Sequence, residues 1–204
     1  CSYIQLVELP PAPDARPSVD DEGNNTADHR NVIYFVEQGW SHDRSAAAIT
    51  TVFYIERADS PNNGRILDAD VELNGQFFRF TTDGKKLHTD IENTVTHELG
   101  HLLGLDHPCH DGAHAYRPTD SEGTPIPDCN DVIGSSKPEY AAMREVTMFN
   151  FAEPGETRKR SLAQDDIDGV CSTYPLSADP GVCQDPRGDR DGGCRIAGAR
   201  GRSP

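Results

Sequence analysis

The sequence predicts an α+β fold: a twisted mixed sheet backed by one principal helix, with a smaller C-terminal subdomain that holds a last helix. Three observations predict it. Residues 31–74 contain three stretches rich in β-branched and aromatic side chains. Residues 89–104 read as one capped amphipathic helix, and residues 162–174 as another. The 204 residues suffice for one domain with a tail. Lys+Arg 19 against Asp+Glu 34 gives a net charge of −15, which repels phosphate backbones and argues against nucleic-acid binding. No apolar run reaches the roughly 18 residues of a membrane helix, so no transmembrane segment is expected.

Residues 2–9 (SYIQLVEL) are a strand candidate with Tyr3, Gln5, Val7 and Leu9 on one side. The Pro, Asp, Asn and Gly content of residues 10–30 predicts a loop. Residues 31–37 (NVIYFVE) read as a central strand and residues 47–56 (AAITTVFYIE) as a second. Residues 65–74 (RILDADVELN) alternate: Leu67, Ala69, Val71 and Leu73 face one way, and Ile66, Asp68, Asp70 and Glu72 the other.

Thr89 and Glu92 fit a capping box at the start of the principal helix. Ile91, Val95, Leu99, Leu102 and Leu103 make its apolar stripe, and Gly104 suits the left-handed residue that ends it. Residues 105–147 look mostly irregular. Ser161 and Gln164 suggest a capping box for the last helix, and Pro175 follows its end. Residues 176–204, poor in apolar side chains, read as a disordered tail.

Six cysteines lie outside any C-x-x-C pair, which points to disulfides and an oxidising, extracellular or cell-surface location. Cys109–Cys129 is the preferred pair because it closes a single loop. Cys171 would pair with either Cys1 or Cys183.

Chemistry concentrates in residues 97–107 (HELGHLLGLDH). His97 and His101, spaced i and i+4, share one helix face and can share one metal ion. Gly104 lets the chain turn so that His107 can return as a third ligand. Three neutral nitrogens would leave a zinc ion one open position, as catalytic sites do and structural sites do not. Glu98 stands beside that position and could take a proton from water there. A calcium ion is the other candidate cofactor, through Asp68, Asp70 and Glu72, although solvated carboxylates are the simpler expectation there and at Asp165, Asp166 and Asp168. His42, His88, His110 and His114 have no spacing that recruits them to the zinc.

The H-E-x-x-H-x-x-G-x-x-H pattern resembles that of the metzincin metalloproteases. Residues 146–149 (VTMF) resemble the Met-turn of that clan, with Met148 as its methionine, and residues 161–170 (SLAQDDIDGV) look like the last helix of matrixins. The resemblance covers about residues 1–175 and implies a secreted, monomeric, matrixin-like endopeptidase of bacterial type. It further implies one catalytic zinc on His97, His101 and His107, Glu98 as general base, and a protein or peptide substrate. It also implies that residues 47–54 form an edge strand on which extended substrate pairs. Residues 39–43 hold one histidine where matrixins bind a second zinc, so none is expected. The stretch between His107 and Met148 is longer than in matrixins, and Pro108 stands where they usually have Ser. Matrixins open with a strand and a long helix that is not evident here, so the natural protein is expected to extend upstream of Cys1; the alternative is that Cys1 is a lipoprotein cysteine. A non-catalytic, zinc-stabilised module or an inactive fragment are the opposing hypotheses.

Overall fold

The computed structural model describes residues 1–11, 30–112, 116–120, 122–179 and 181. Strands β1 (Ile33–Phe35), β2 (Ala48–Tyr54) and β3 (Ile66–Leu73) form a mixed sheet in the order β1-β3-β2. β1 runs parallel to β3, and β2 antiparallel to it. The α+β class therefore holds. The central strand is β3 and not residues 31–37, because β3 alternates over its whole length and takes a partner on each side. β2 lies at one end of the sheet, the edge position expected for residues 47–54.

One face of β3 works as expected. Val71 and Leu73, with Ala48 of β2, pack against Phe80, Ile91 and Val95. The other face is not solvated: Asp68 and Asp70 are each 1% exposed. Their oxygens anchor backbone. The Val32 N–H donates to Asp70 Oδ1 at 3.0 Å, and the Ala69 N–H donates to Asp68 Oδ1 at 3.1 Å. Glu72 meets His42 Nε2 at 2.9 Å and bonds the Tyr34 hydroxyl, whose pKa burial and these carboxylates push upward. The three carboxylates thus serve the sheet and its loops. Among the described residues they do not gather into a cluster that could hold a metal ion.

Short strands β4 (Phe80–Thr81) and β5 (Thr89–Asp90) pair in parallel and lead into helix α1 (Ile91–Leu102). The N-cap is Asp90 rather than Thr89. Thr89 is held in the β5 pairing, its N–H donating to the Arg79 carbonyl at 2.9 Å. Asp90 Oδ1 accepts from the Asn93 N–H at 2.9 Å and from Arg160 Nε at 2.8 Å, so one carboxylate caps the helix and ties it to a distant segment. The Arg160 hydrogen bond holds the Asp90 carboxyl below its usual pKa.

Residues 105–147 are less irregular than expected. They contain α2 (Cys129–Ile133), capped by Asp128, and α3 (Pro138–Glu145), which opens on its proline. Both are short, and α3 has no buried residue of its own, so neither leaves a strong periodic signal. Cys109, Cys129, Val132 and Phe149 form a second core with Tyr140, Met143 and Val146. The Cys109–Cys129 disulfide lies within it, with Cα atoms 5.0 Å apart, as expected from the sequence.

A 3-10 turn (Arg158–Arg160) precedes α4 (Gln164–Thr173). The residue at the N-cap of α4 is Ala163 and not Ser161; the cap is supplied by Asp166, whose Oδ2 accepts from the Ala163 N–H at 2.8 Å. Cys171 pairs with Cys1. That bond draws the N-terminus to the end of α4: the Tyr3 N–H donates to the Tyr174 carbonyl at 3.1 Å. Residues 2–9 accordingly make no sheet strand, only a bridge between Ser2 and Pro175. Among the described residues no helix precedes Ile91, and none is long and apolar enough to cross a membrane. The two disulfides fit an extracellular location. Cys183, Cys194 and nearly all of the expected tail lie outside the described residues.

Candidate metal centre

Helix α1 delivers the first two histidines and a sharp exit delivers the third. Gly104 has φ +85°, the left-handed conformation that a side chain resists. Its N–H donates to the His101 carbonyl at 2.8 Å, and the Leu105 N–H reaches back to the Gly100 carbonyl at 2.9 Å. These two bonds form a Schellman motif. It reverses the chain within three residues and brings His107 back over the helix.

The three imidazoles converge through the same atom. His97 Nε2 lies 3.2 Å from His101 Nε2 and 3.2 Å from His107 Nε2, and the remaining separation is 3.0 Å. Each ring's other nitrogen faces an oxygen. His97 Nδ1 is 2.8 Å from the Thr147 carbonyl, His101 Nδ1 is 2.9 Å from the Leu105 carbonyl, and His107 Nδ1 is 2.6 Å from Asp111 Oδ2. A carbonyl or carboxylate accepts, so each Nδ1 carries the proton and each Nε2 is a bare lone pair. Three lone pairs at such range repel one another unless a cation joins them. Ligands about 2.0–2.1 Å from a tetrahedral zinc stand about 3.3 Å apart, close to what is observed. The donor set therefore fits a divalent metal. Oxygens on the outer nitrogens of metal-ligating histidines fix ring tautomer and orientation. Burial lowers the pKa of all three rings, His97 most of all, which favours the neutral form that binds metal.

Among the described residues this is the only group clustered closely enough to hold a metal ion. The structure thus brings together the three histidines singled out in the sequence. His42, His88 and His110 stay outside the cluster, and His114 lies outside the described residues. Glu98, next to His97 on α1, is 5% exposed. Burial pushes its carboxyl above the usual pKa, and a hydrogen bond from Thr50 opposes this.

Met148 is 4% exposed and lies under α1. A Cβ on Gly100 would stand 2.1 Å from its sulfur, so Gly100 is what lets the methionine approach the helix between His97 and His101. Asp166 holds this segment from below, its Oδ2 accepting from the Thr147 N–H at 3.1 Å and its Oδ1 from the Met148 N–H at 3.2 Å. Gly100→Ala is expected to cost about 1–3 kcal/mol and to lower metal affinity, because Met148 and the helix must separate. Denaturant melts with and without zinc check both effects.

Sequence inspection missed four groups here. Thr50, Asp111, Asp166 and Lys159 are far from the motif or of ordinary type, and only Asp166, inside the last-helix pattern, had a readable signal. Lys159 is 4% exposed. Its ammonium donates to the Phe149 carbonyl, and its own N–H donates to Asn93 Oδ1 at 2.8 Å. Burial lowers its pKa from 10.5 to about 8, partly offset by Glu156 and reinforced by Arg158; Glu98 and Asp166 also face it. The folded pKa lies below the unfolded one. The unfolded chain therefore holds the extra proton between these values, and stability rises as pH increases from about 8 to 10.5, by roughly 3 kcal/mol at most. Denaturant midpoints at pH 8 and 10 should show this rise in the native chain and a smaller one in Lys159→Met.

Compared with family models, curated proteins and solved structures, the chain matches none.

Proposed function

We propose that the chain is a zinc-dependent endopeptidase of the metzincin type. The observation that carries this reading is the convergence of three histidine Nε2 atoms at a helix that also carries a buried glutamate. Three protein ligands leave an open coordination position, which a purely structural site would fill with a fourth side chain. His97, His101 and His107 would hold the ion. When bound, zinc supplies Lewis-acid polarisation to a peptide carbonyl and acidifies a water molecule. Glu98 accepts a proton from the attacking water and returns it to the nitrogen of the departing amine. Met148 and Asp166 keep the helix and its histidines in place. β2, at the end of the sheet, offers backbone hydrogen-bonding groups to an extended substrate segment. The disulfides suit work outside the cell.

The test is casein cleavage with and without a chelator, followed by zinc restoration. Cleavage that disappears with the chelator and returns with zinc supports the reading. A zinc-loaded protein that cleaves nothing, over a range of protein substrates, leaves the structural-module alternative.

A further inference from the structure

Within the proposed reaction Glu98 must present one oxygen to water in a constant orientation. Nothing on α1 itself fixes that orientation, since a helical glutamate has three rotatable bonds. The constraint comes from the sheet. Thr50 sits midway along β2, paired with Val71 of β3. Val71 faces the α1 side, and residues directly opposite on neighbouring strands share a face, so Thr50 also points toward α1. Its Oγ1 lies 2.6 Å from Glu98 Oε2 and 3.3 Å from the Glu98 carbonyl oxygen. The hydroxyl has one proton, and the shorter contact has the length of a charge-assisted O–H···O bond, so the proton goes to the carboxylate. Threonine suits this role because its β-branched side chain is stiff at χ1, which holds the hydroxyl steady on a strand.

We propose that Thr50 is a positioning residue for peptide hydrolysis. Its hydroxyl occupies Glu98 Oε2 and leaves Oε1 as the oxygen that exchanges a proton. The proton from water goes to Oε1 and leaves from Oε1 to the amine; the Thr50 proton stays on Thr50. Because β2 is also the strand on which substrate would lie, one hydrogen bond joins the substrate-binding edge to the general base. This inference rests on the endopeptidase reading.

The experiment compares zinc-loaded native chain, Thr50→Val and Thr50→Ser on one peptide substrate. Thr50→Val keeps shape and removes the hydroxyl. It should lower kcat about 10- to 100-fold, as expected when a reacting group loses its orientation. KM should stay within about twofold and zinc content near one per chain. Thr50→Ser keeps a hydroxyl and should recover most of the loss. A second readout is independent of turnover. In protein labelled with carboxyl-13C glutamate, the Glu98 resonance, assigned by its absence in Glu98→Gln, should move in Thr50→Val and stay in place in Thr50→Ser. Native kcat in Thr50→Val, a rise in KM alone, or an unmoved resonance overturns the proposal. If Thr50→Val fails to fold, Thr50→Ala takes its place with the same expectations. An inactive native chain would instead overturn the endopeptidase reading, and the positioning role with it.

Discussion

Glu98→Ala should abolish hydrolysis while zinc content stays near one per chain. The two halves of this result have separate causes. The candidate metal ligands are the Nε2 atoms of His97, His101 and His107, and each ring is oriented through its Nδ1 by Thr147, Leu105 or Asp111. None of these contacts involves the Glu98 carboxylate, so its removal leaves the ligand set intact. The proton transfer, by contrast, has no substitute. General acid–base catalysis contributes about 10²–10⁴-fold, and the loss here should reach at least that range because in the proposed reaction the same group acts twice, as base and then as acid. Stability should not follow activity. Glu98 is 5% exposed and burial raises the pKa of its carboxyl, so the folded state tolerates the charge poorly. Glu98→Gln, which keeps shape and an acceptor for Thr50 while removing the charge, should therefore melt at the native temperature or above it while remaining inactive. Progress curves, metal analysis and thermal melts on both variants decide the matter. Retained turnover in either would defeat the general-base role.

The metal centre was legible because it is local. Spacing i and i+4 puts two imidazoles on one helix face whatever the helix packs against, and Gly104 marks where the third must return. The φ of +85° at Gly104 and the return of His107 follow from those eleven residues, while Thr147 and Asp111, outside them, orient two of the three rings. What surrounds the centre was not legible. Thr50 meets Glu98 across 48 positions of sequence, and Thr147 meets His97 across 50. Nothing in an isolated threonine announces such a partner. Fold errors have the same origin. Thr89 satisfies the capping pattern, but its backbone is held by the β5 pairing and Asp90, drawn by Arg160, does the capping. Residues 2–9 alternate like a strand, yet the Cys1–Cys171 bond draws their first residues, Ser2 and Tyr3, to the end of α4. Asp68 and Asp70 read as solvated carboxylates, yet they are buried, Asp70 accepting from the Val32 N–H beside β1 and Asp68 from the adjacent Ala69 N–H.

Zinc should raise the melting temperature of the metal-free protein strongly, and His101→Ala should remove that response. Without a cation, three Nε2 lone pairs face one another within 3.2 Å. The folded state presents this set ready-made; the unfolded chain scatters it over eleven residues. An ion that binds only the folded state stabilises it by RT ln(1 + [L]/Kd), about 4.1 kcal/mol at a thousandfold excess over Kd. In a chain of this size about 2–4 °C accompanies each kcal/mol, which predicts a rise of roughly 8–16 °C. Each of the three Nε2 atoms is within 3.2 Å of the other two, so the loss of His101 leaves only two side-chain nitrogens to hold the ion. Asp111→Asn probes the outer layer. It removes the carboxylate 2.6 Å from His107 Nδ1 but spares all three ligands, and should weaken zinc binding about 10- to 100-fold without abolishing it. Calorimetric melts of metal-free protein, with and without added zinc, give all three results in one series. An unshifted native melt would show that the converging histidines do not bind zinc. An Asp111→Asn shift equal to the native one at limiting zinc would show that the His107–Asp111 contact does not tune the site.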